Sequence, residues 1–260
     1  MAGKFAIVTG ASTGIGFALA SIAAKAGYDL LVVADEPLIE AAGRDFRQFG
    51  TEIQSVEADL STIEGVDKLL AQAGGRPIDI LCANAGIGTG GLFLDQRVAD
   101  WRRSIDTNIT GTVYLLQQVL TGMVARGVGR VLVTGSIAGY IPGPFNAVYN
   151  ATKAFIDNFT EALRNELKPV EGVTLTTLMP GATDTEFFAR ADMLDTKVGA
   201  ADSKADPAKV AQDGWDALMA GKGHIVSGVA NKLQAAAAGI VPQSVLAERH
   251  RKMAEPGSAD

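Results

Sequence analysis

Seven short runs rich in Val, Ile and Leu recur along the chain, and a stretch with helical periodicity lies between each pair. No other feature restricts the fold so strongly. The runs span 4–9, 29–34, 51–57, 78–82, 130–134, 173–179 and 224–226. The helical stretches span 14–26, 37–49, 62–73, 99–126, 148–168 and 207–220, and a last one covers 229–253 with a break at Pro242. Runs such as Leu30-Leu-Val-Val33 and Val131-Leu-Val133 show no polar alternation, so helices should cover both faces of the sheet. Strand–helix–strand repetition requires parallel strands joined by right-handed crossovers. The expected class is therefore α/β: a doubly wound parallel sheet in three α/β/α layers.

No Ser/Gly/Pro-rich gap, charge block or internal repeat divides the 260 residues, so a single domain over 1–260 is expected. The least ordered parts should be 189–205 and the tail after Met253. With 47% hydrophobic and 20% charged residues, a large core is affordable and disorder is not indicated. A net charge of −6 argues against general nucleic-acid binding, which needs a basic surface. Cys82, the only cysteine, excludes an intrachain disulfide and fits a reducing cytoplasm; on an apolar strand it reads as a buried small side chain. His224 and His250 are too isolated for a metal site. The uncharged stretches 107–125 and 131–152 are interrupted by Asn, Gln, Gly and Pro, so no membrane span is expected. No targeting segment is visible at the start.

Residues Thr9-Gly-Ala-Ser-Thr-Gly-Ile-Gly16 follow the first strand and open the first helix. Gly10 permits a sharp turn, Gly14 lets the backbone approach a pyrophosphate, and Gly16 allows close packing of helix on sheet. Free N–H groups of the first helical turn, from Ser12 through Ile15, would meet the phosphates. Asp35 ends the second strand 19 residues after Gly16, close to the spacing of a ribose-binding acid. Glu36 follows it and the next basic residue is Arg44. A 2′-phosphate there would meet like charge with no adjacent cation, so NAD is favoured over NADP. Asp35 before Pro37 also suits a helix start, and both roles can hold together. Asp59 and Leu60 follow the third strand, and Asn84, Ala85 and Gly86 follow the fourth. In an open α/β sheet such strand ends face one ligand crevice, giving a Rossmann-like dinucleotide site.

Tyr149 and Lys153 stand four apart on a predicted helix and share a face. Ser136 ends the fifth strand. A free phenol has a pKa of about 10, and a neighbouring ammonium lowers it. Lys153 could thus make Tyr149 a usable acid and base, with Ser136 bonding the substrate oxygen. That set suits carbonyl/alcohol interconversion with a nicotinamide.

In this order, Thr9–Gly16, Asp59, Asn84-Ala-Gly86, Asn108, Ser136, Tyr149-x3-Lys153 and Pro180-Gly181 resemble the short-chain dehydrogenase/reductase family, in its compact single-domain branch. The similarity runs from about Phe5 to Thr185. It implies that Tyr149 is the general acid/base, that Lys153 lowers its pKa and holds the nicotinamide ribose, and that Ser136 polarises the carbonyl. It implies further that Asn108 holds a relay water, and that Asp59 and Leu60 frame the adenine. Asn84, Ala85 and Gly86 would pass along the cofactor. Pro180 and Gly181 would line the nicotinamide, and Thr185 would hold its carboxamide. Thr183 stands where the family has an apolar residue.

Ile105, Ile109, Val113, Leu116, Leu120 and Met123 form an apolar stripe, and the next helix offers Phe155, Phe159 and Leu163. The resemblance implies that these two helices pair between subunits of a homodimer or homotetramer. The segment 182–205, with Phe187, Phe188, Met193 and Leu194, could close over an apolar substrate as a lid, and 143–148 could form another wall. The helical tail 229–253 ends in Arg249-His-Arg-Lys252, which suits a helix C-terminus. The partner is a small alcohol or ketone. Two other classes stay open: a dinucleotide-binding regulator with little chemistry, and a dehydratase or isomerase using the same residues.

Overall fold

The computed structural model describes residues 3–259. The apolar runs become β1 (Phe5–Thr9), β2 (Asp29–Ala34), β3 (Ile53–Glu57), β4 (Ile80–Ala83), β5 (Gly129–Thr134), β6 (Val173–Met179) and β7 (His224–Val226). They form one sheet in the order β3-β2-β1-β4-β5-β6-β7, parallel at every pairing. Between them lie α1 (Gly14–Lys25), α2 (Leu38–Arg47), α3 (Ile63–Gln72), α4 (Val98–Ile105), α5 (Thr112–Arg126), α6 (Ala147–Glu166), α7 (Phe187–Arg190), α8 (Lys197–Ala200) and α9 (Pro207–Met219). Two more helices, α10 (Val229–Ala238) and α11 (Gln243–Ala254), end the chain.

Successive side chains of a strand point to opposite faces, and each face has its own core. Ile7, Leu31, Val33 and Val131 pack against α3, α5 and α6 through Leu69, Leu116, Met123 and Ile156. Ala6, Val8, Leu30 and Val32 pack against α1, α2 and α9 through Leu19, Phe46, Val210 and Leu218. The result is the doubly wound, three-layer Rossmann-like α/β fold. Strand order reverses between β1 and β4, which opens a crevice at their carboxyl ends.

Three features differ from the sequence reading. The stretch 99–126 is not one helix: a π-helical turn, Asp106–Gly111, joins α4 to α5. A π turn adds a residue per turn and rotates the face. Ser104, Thr107, Asn108 and Gly111 are buried there, while Ile105, Ile109 and Val113 are only partly covered. The apolar stripe is fully buried from Leu115 onward. Second, 189–205 is not loose. It holds α8 and buries Ala191 and Met193 in a small core with Phe145, Phe188 and Ala254. Third, the tail after Met253 is docked: Gly257 N–H donates to Asp195 Oδ2 at 2.8 Å and Ala259 N–H to Asp195 O at 3.0 Å. Neither segment shows strong periodicity, so their burial is a tertiary outcome.

Candidate active site

One cleft of about 360 Å³ runs over the carboxyl ends of β1, β2, β3, β4, β5 and β6. Its walls include Gly10, Ser12, Thr13 and Ile15 from the glycine turn, and Asp35, Asp59 and Leu60 beyond. Asn84, Ala85, Gly86, Ser136, Tyr149, Lys153, Pro180, Gly181, Thr183 and Thr185 complete the set. Gly14, Gly16 and Asn108 stand behind the wall.

The glycine turn is a cradle that side chains would fill. Gly10 has φ +63, and a Cβ on it would come within 2.9 Å of Ala85 Cα. A Cβ on Gly16 would overlap the Gly10 carbonyl. The backbone N–H groups that open α1 therefore stay accessible to an anion at the helix N-terminus, which fits a dinucleotide pyrophosphate.

Asn84 does more than border the cleft. Its Nδ2 donates to Thr9 O at 3.1 Å and Gly10 O at 3.4 Å, and its Oδ1 accepts from Thr134 Oγ1 at 3.0 Å. Thr9 Oγ1 accepts from the N–H groups of Asn84 and Ala85, both at 2.9 Å. This lattice ties the ends of β1, β4 and β5 and shapes the floor. The sequence reading placed Thr9 in the glycine motif without a role of its own, and it missed Thr134, whose only signal was its place at a strand end.

The reading that no cation stands beside Asp35 is overturned. Arg103 on α4 reaches across, with Nη2 at 2.6 Å from Asp35 Oδ2 and 3.3 Å from Asp59 Oδ2. Next door, Glu36 Oε1 accepts from Ser12 Oγ at 2.5 Å and from Arg190 Nη2 at 2.8 Å. Burial opposes ionisation of Glu36, but the Ser12 and Arg190 bonds outweigh it and hold the carboxyl below its usual range. Asp59 is likewise held low: desolvation is outweighed by the Ser61 bonds and by Arg103.

Ser136 follows β5 and caps the 3-10 turn Ile137–Tyr140: its Oγ accepts from Ala138 N–H at 3.1 Å and donates to Pro180 O at 3.3 Å. Helix α6 carries Tyr149 and Lys153 on one face. Lys153 Nζ donates to Thr134 O at 2.8 Å and lies 5.7 Å from the centre of the Tyr149 ring. The expected acidic phenol is not seen in the protein alone. Burial pushes Tyr149 up to about 12, the Ser136 hydroxyl opposes this, and Asp157 adds to it. The physical reason is desolvation: a phenolate loses its hydration in that buried setting. Lys153 is itself lowered by burial, which weakens its help.

Asn108 is held in place by the π turn. Its Nδ2 donates to Ile87 O at 2.8 Å and to Thr152 Oγ1 at 2.9 Å, while Oδ1 accepts from Ile87 N–H at 2.9 Å. The side chain therefore pins the segment after β4. Thr183 Oγ1 donates to Gly181 O at 3.0 Å, and its hydroxyl is occupied by the turn. The methyl of Thr185 lies against Gly14.

The cleft also has an apolar set of walls, Ile87, Ile141, Phe187, Phe188, Met193, Val198 and Met253, interspersed with the polar Asn146, Asn150, Asn231, Gln234 and His250. Phe187 covers Tyr149, their ring centres 4.9 Å apart, and Phe188 meets Phe187 edge to face at 5.4 Å. Of the four apolar residues expected to close over the substrate, Leu194 faces out instead. Helix α11 reaches these walls through His250, whose Nδ1 lies 3.1 Å from Pro144 O. A carbonyl can only accept, so Nδ1 carries the proton. Burial lowers the His250 pKa, with the Pro144 bond opposing. The tail's share in the wall was not legible in its sequence. Among the described residues, no cluster of His, Cys, Asp and Glu could hold a metal ion, and no helix is long and apolar enough to cross a membrane.

Comparison with known proteins agrees with this architecture. The family described as short chain dehydrogenase matches residues 4–194. An uncharacterized oxidoreductase of Staphylococcus epidermidis is 34% identical over 207 residues, 78% of this chain and 88% of the relative. A short-chain dehydrogenase from Sphingobium yanoikuyae, solved in complex with NADPH, superposes with a TM-score of 0.81 at 26% identity, over 93% of this chain and 97% of that one. A short chain dehydrogenase/reductase from Burkholderia phymatum, in complex with NAD, gives 0.82 over 90% and 92%; at 23% identity it bears on the fold alone.

Proposed function

Because this chain belongs to the short chain dehydrogenase family, we propose that it is an oxidoreductase that interconverts a secondary alcohol and a ketone, with NAD preferred to NADP because Asp35, Glu36 and Asp59 outweigh Arg103 and Arg190 and leave the ribose end net negative. The observation that carries the reading is the convergence of Ser136, Tyr149 and Lys153 on the one cleft that also contains the glycine turn and Asp35. A nicotinamide dinucleotide bound in that cleft supplies the two-electron redox partner.

The chain's own residues do the rest. The first turn of α1, with Ser12, Thr13 and Ile15, holds the pyrophosphate. Asp35 accepts from the ribose hydroxyls once Arg103 yields it, while Asp59 and Leu60 border the adenine. Ala85, Gly86, Pro180, Gly181, Thr183 and Thr185 line the passage to the substrate. Tyr149 gives its proton to the carbonyl oxygen in reduction and takes it back in oxidation. Ser136 turns its hydroxyl from Pro180 O to the same oxygen. Lys153 steadies the phenolate and replenishes the proton by way of a water at Asn108. The apolar side chains among these walls suit a substrate with an apolar body and no multiple negative charge.

The chain acts as one domain over 1–260, with 182–205 closing the substrate end. Phe155, 43% exposed, stacks on Phe159 at 5.9 Å on the outer side of α6; a second copy covering this face in a homodimer or homotetramer accounts for it. The single reduced cysteine agrees with a cytoplasmic setting.

Tyr149→Phe tests the reading. It should lower turnover by roughly 10²–10⁴-fold, the usual share of a general acid/base, with dinucleotide binding retained. Undiminished turnover would refute the mechanism. A panel of ketones and alcohols, followed by reduced-nicotinamide absorbance with NADH and with NADPH, identifies the substrate class and the cofactor.

A further inference from the structure

Helix α6 carries a third ionisable side chain on the face of Tyr149 and Lys153. Asp157 lies one turn beyond Lys153, and both of its carboxylate oxygens are buried without a hydrogen-bond partner. A buried carboxylate with no partner is costly, so its presence needs a reason. Its surroundings are built around it. A Cβ on Gly135 would overlap Oδ1, and one on Gly139 would meet Oδ2. Gly135 precedes Ser136 and Gly139 lies within the 3-10 turn that Ser136 caps, so the carboxylate packs against the segment that carries Ser136.

The ionisable groups acting with Asp157 are few. Lys153 and Tyr149 belong to its own helix, and Tyr140 faces it from the 3-10 turn. Gly135, just past β5, packs against its Oδ1. Burial pushes the Asp157 carboxyl well above the ordinary carboxylate range, opposed by the Lys153 charge and by the Ser136 backbone N–H, which lies outside hydrogen-bond geometry, so the negative charge is present on the alkaline side of the pH range. Lys153 Nζ donates to Thr134 O, so the two charges act through space and not as a contact pair.

We propose that Asp157 is a positioning residue for the Tyr149–Lys153 pair: its buried negative charge keeps Lys153 an ammonium in a desolvated site and so fixes the pH range in which Tyr149 can exchange its proton. The inference rests on the reading above that these two residues form the acid–base pair. Burial lowers Lys153 and Asp157 opposes it. Asp157 also disfavours the Tyr149 phenolate. Removing the charge therefore moves both groups the same way, toward losing their protons at lower pH.

The test is the pH profile of kcat/KM in the direction of carbonyl reduction, which needs the protonated phenol and the ammonium. Asp157→Asn and Asp157→Ser both fit the gap between the glycines and carry no charge. Each should move the alkaline limb down by about one pH unit, the scale of one nearby charge. Asp157→Glu should keep the limb close to wild type even where kcat falls. An unmoved limb in the folded neutral variants would overturn the proposal, because a packing role alone predicts that result. Loss of fold in all three variants would overturn it equally, by showing that the carboxylate serves packing. Tyr149→Phe, run in parallel, separates the two ideas: full activity there removes the acid–base reading, whereas an inactive Tyr149→Phe with an unmoved limb removes only the role of Asp157.

Discussion

Asn84→Ala tests whether Asn84 serves chiefly as a tie between strands. The substitution deletes three side-chain hydrogen bonds, to Thr9 O, Gly10 O and from Thr134 Oγ1. At about 1 kcal/mol net for each the loss is about 3 kcal/mol. Asn84 is only partly buried, so water can replace some of it and about 2 kcal/mol is the lower bound. For a chain of this size each kcal/mol lowers Tm by about 2–4 °C, which gives a fall of about 4–12 °C. Thermal unfolding by circular dichroism measures it. Thr134→Val removes one of the three bonds and should cost about 1 kcal/mol. The double variant should fall short of the sum, because the two share a bond. KM for the dinucleotide should rise in Asn84→Ala, since the Gly10 and Ala85 backbones lose their register. A Tm within about a degree of wild type would show that the lattice is replaceable by solvent and that the assigned role is wrong.

Two further outcomes follow from the site. Arg103→Ala removes the cation between Asp35 and Asp59; NADPH binding should weaken about tenfold or more, the scale of one lost charge-assisted bond, while NADH binding changes much less. Fluorescence titration of the two reduced cofactors checks this, and equal losses would mean that Arg103 does not discriminate at the 2′ position. His250 is held neutral by burial: as pH falls below its ordinary value near 6.5, the unfolded chain takes up a proton that the folded chain refuses. The stability tied to it is therefore lost between that value and the lowered folded one. Tm measured from pH 7.5 down to about 5.5 should fall less steeply in His250→Gln than in wild type, and parallel curves would place the pH dependence elsewhere.

The sequence alone determined the strands and the chemistry-bearing motifs. A strand covered on both faces must be apolar throughout, so Leu30–Val33 and Val131–Val133 announce themselves, and every strand lies within a few residues of its expected place. The Tyr149/Lys153 pair and the glycine turn were legible for the same reason: their geometry follows from local spacing. Tertiary structure decided what happens between distant segments. Arg103 meets Asp35 across 68 residues, Asp195 receives the end of the chain, and the π turn rotates Asn108 inward against the apolar periodicity of its helix. It also decided the resting state of the phenol. A lysine four residues away argues for an acidic tyrosine, but the closed surroundings of Tyr149 push it up to about 12. Spacing along a chain fixes which groups can be neighbours; how much water the fold leaves around them, and which far segment supplies the countercharge, is settled only when the layers close.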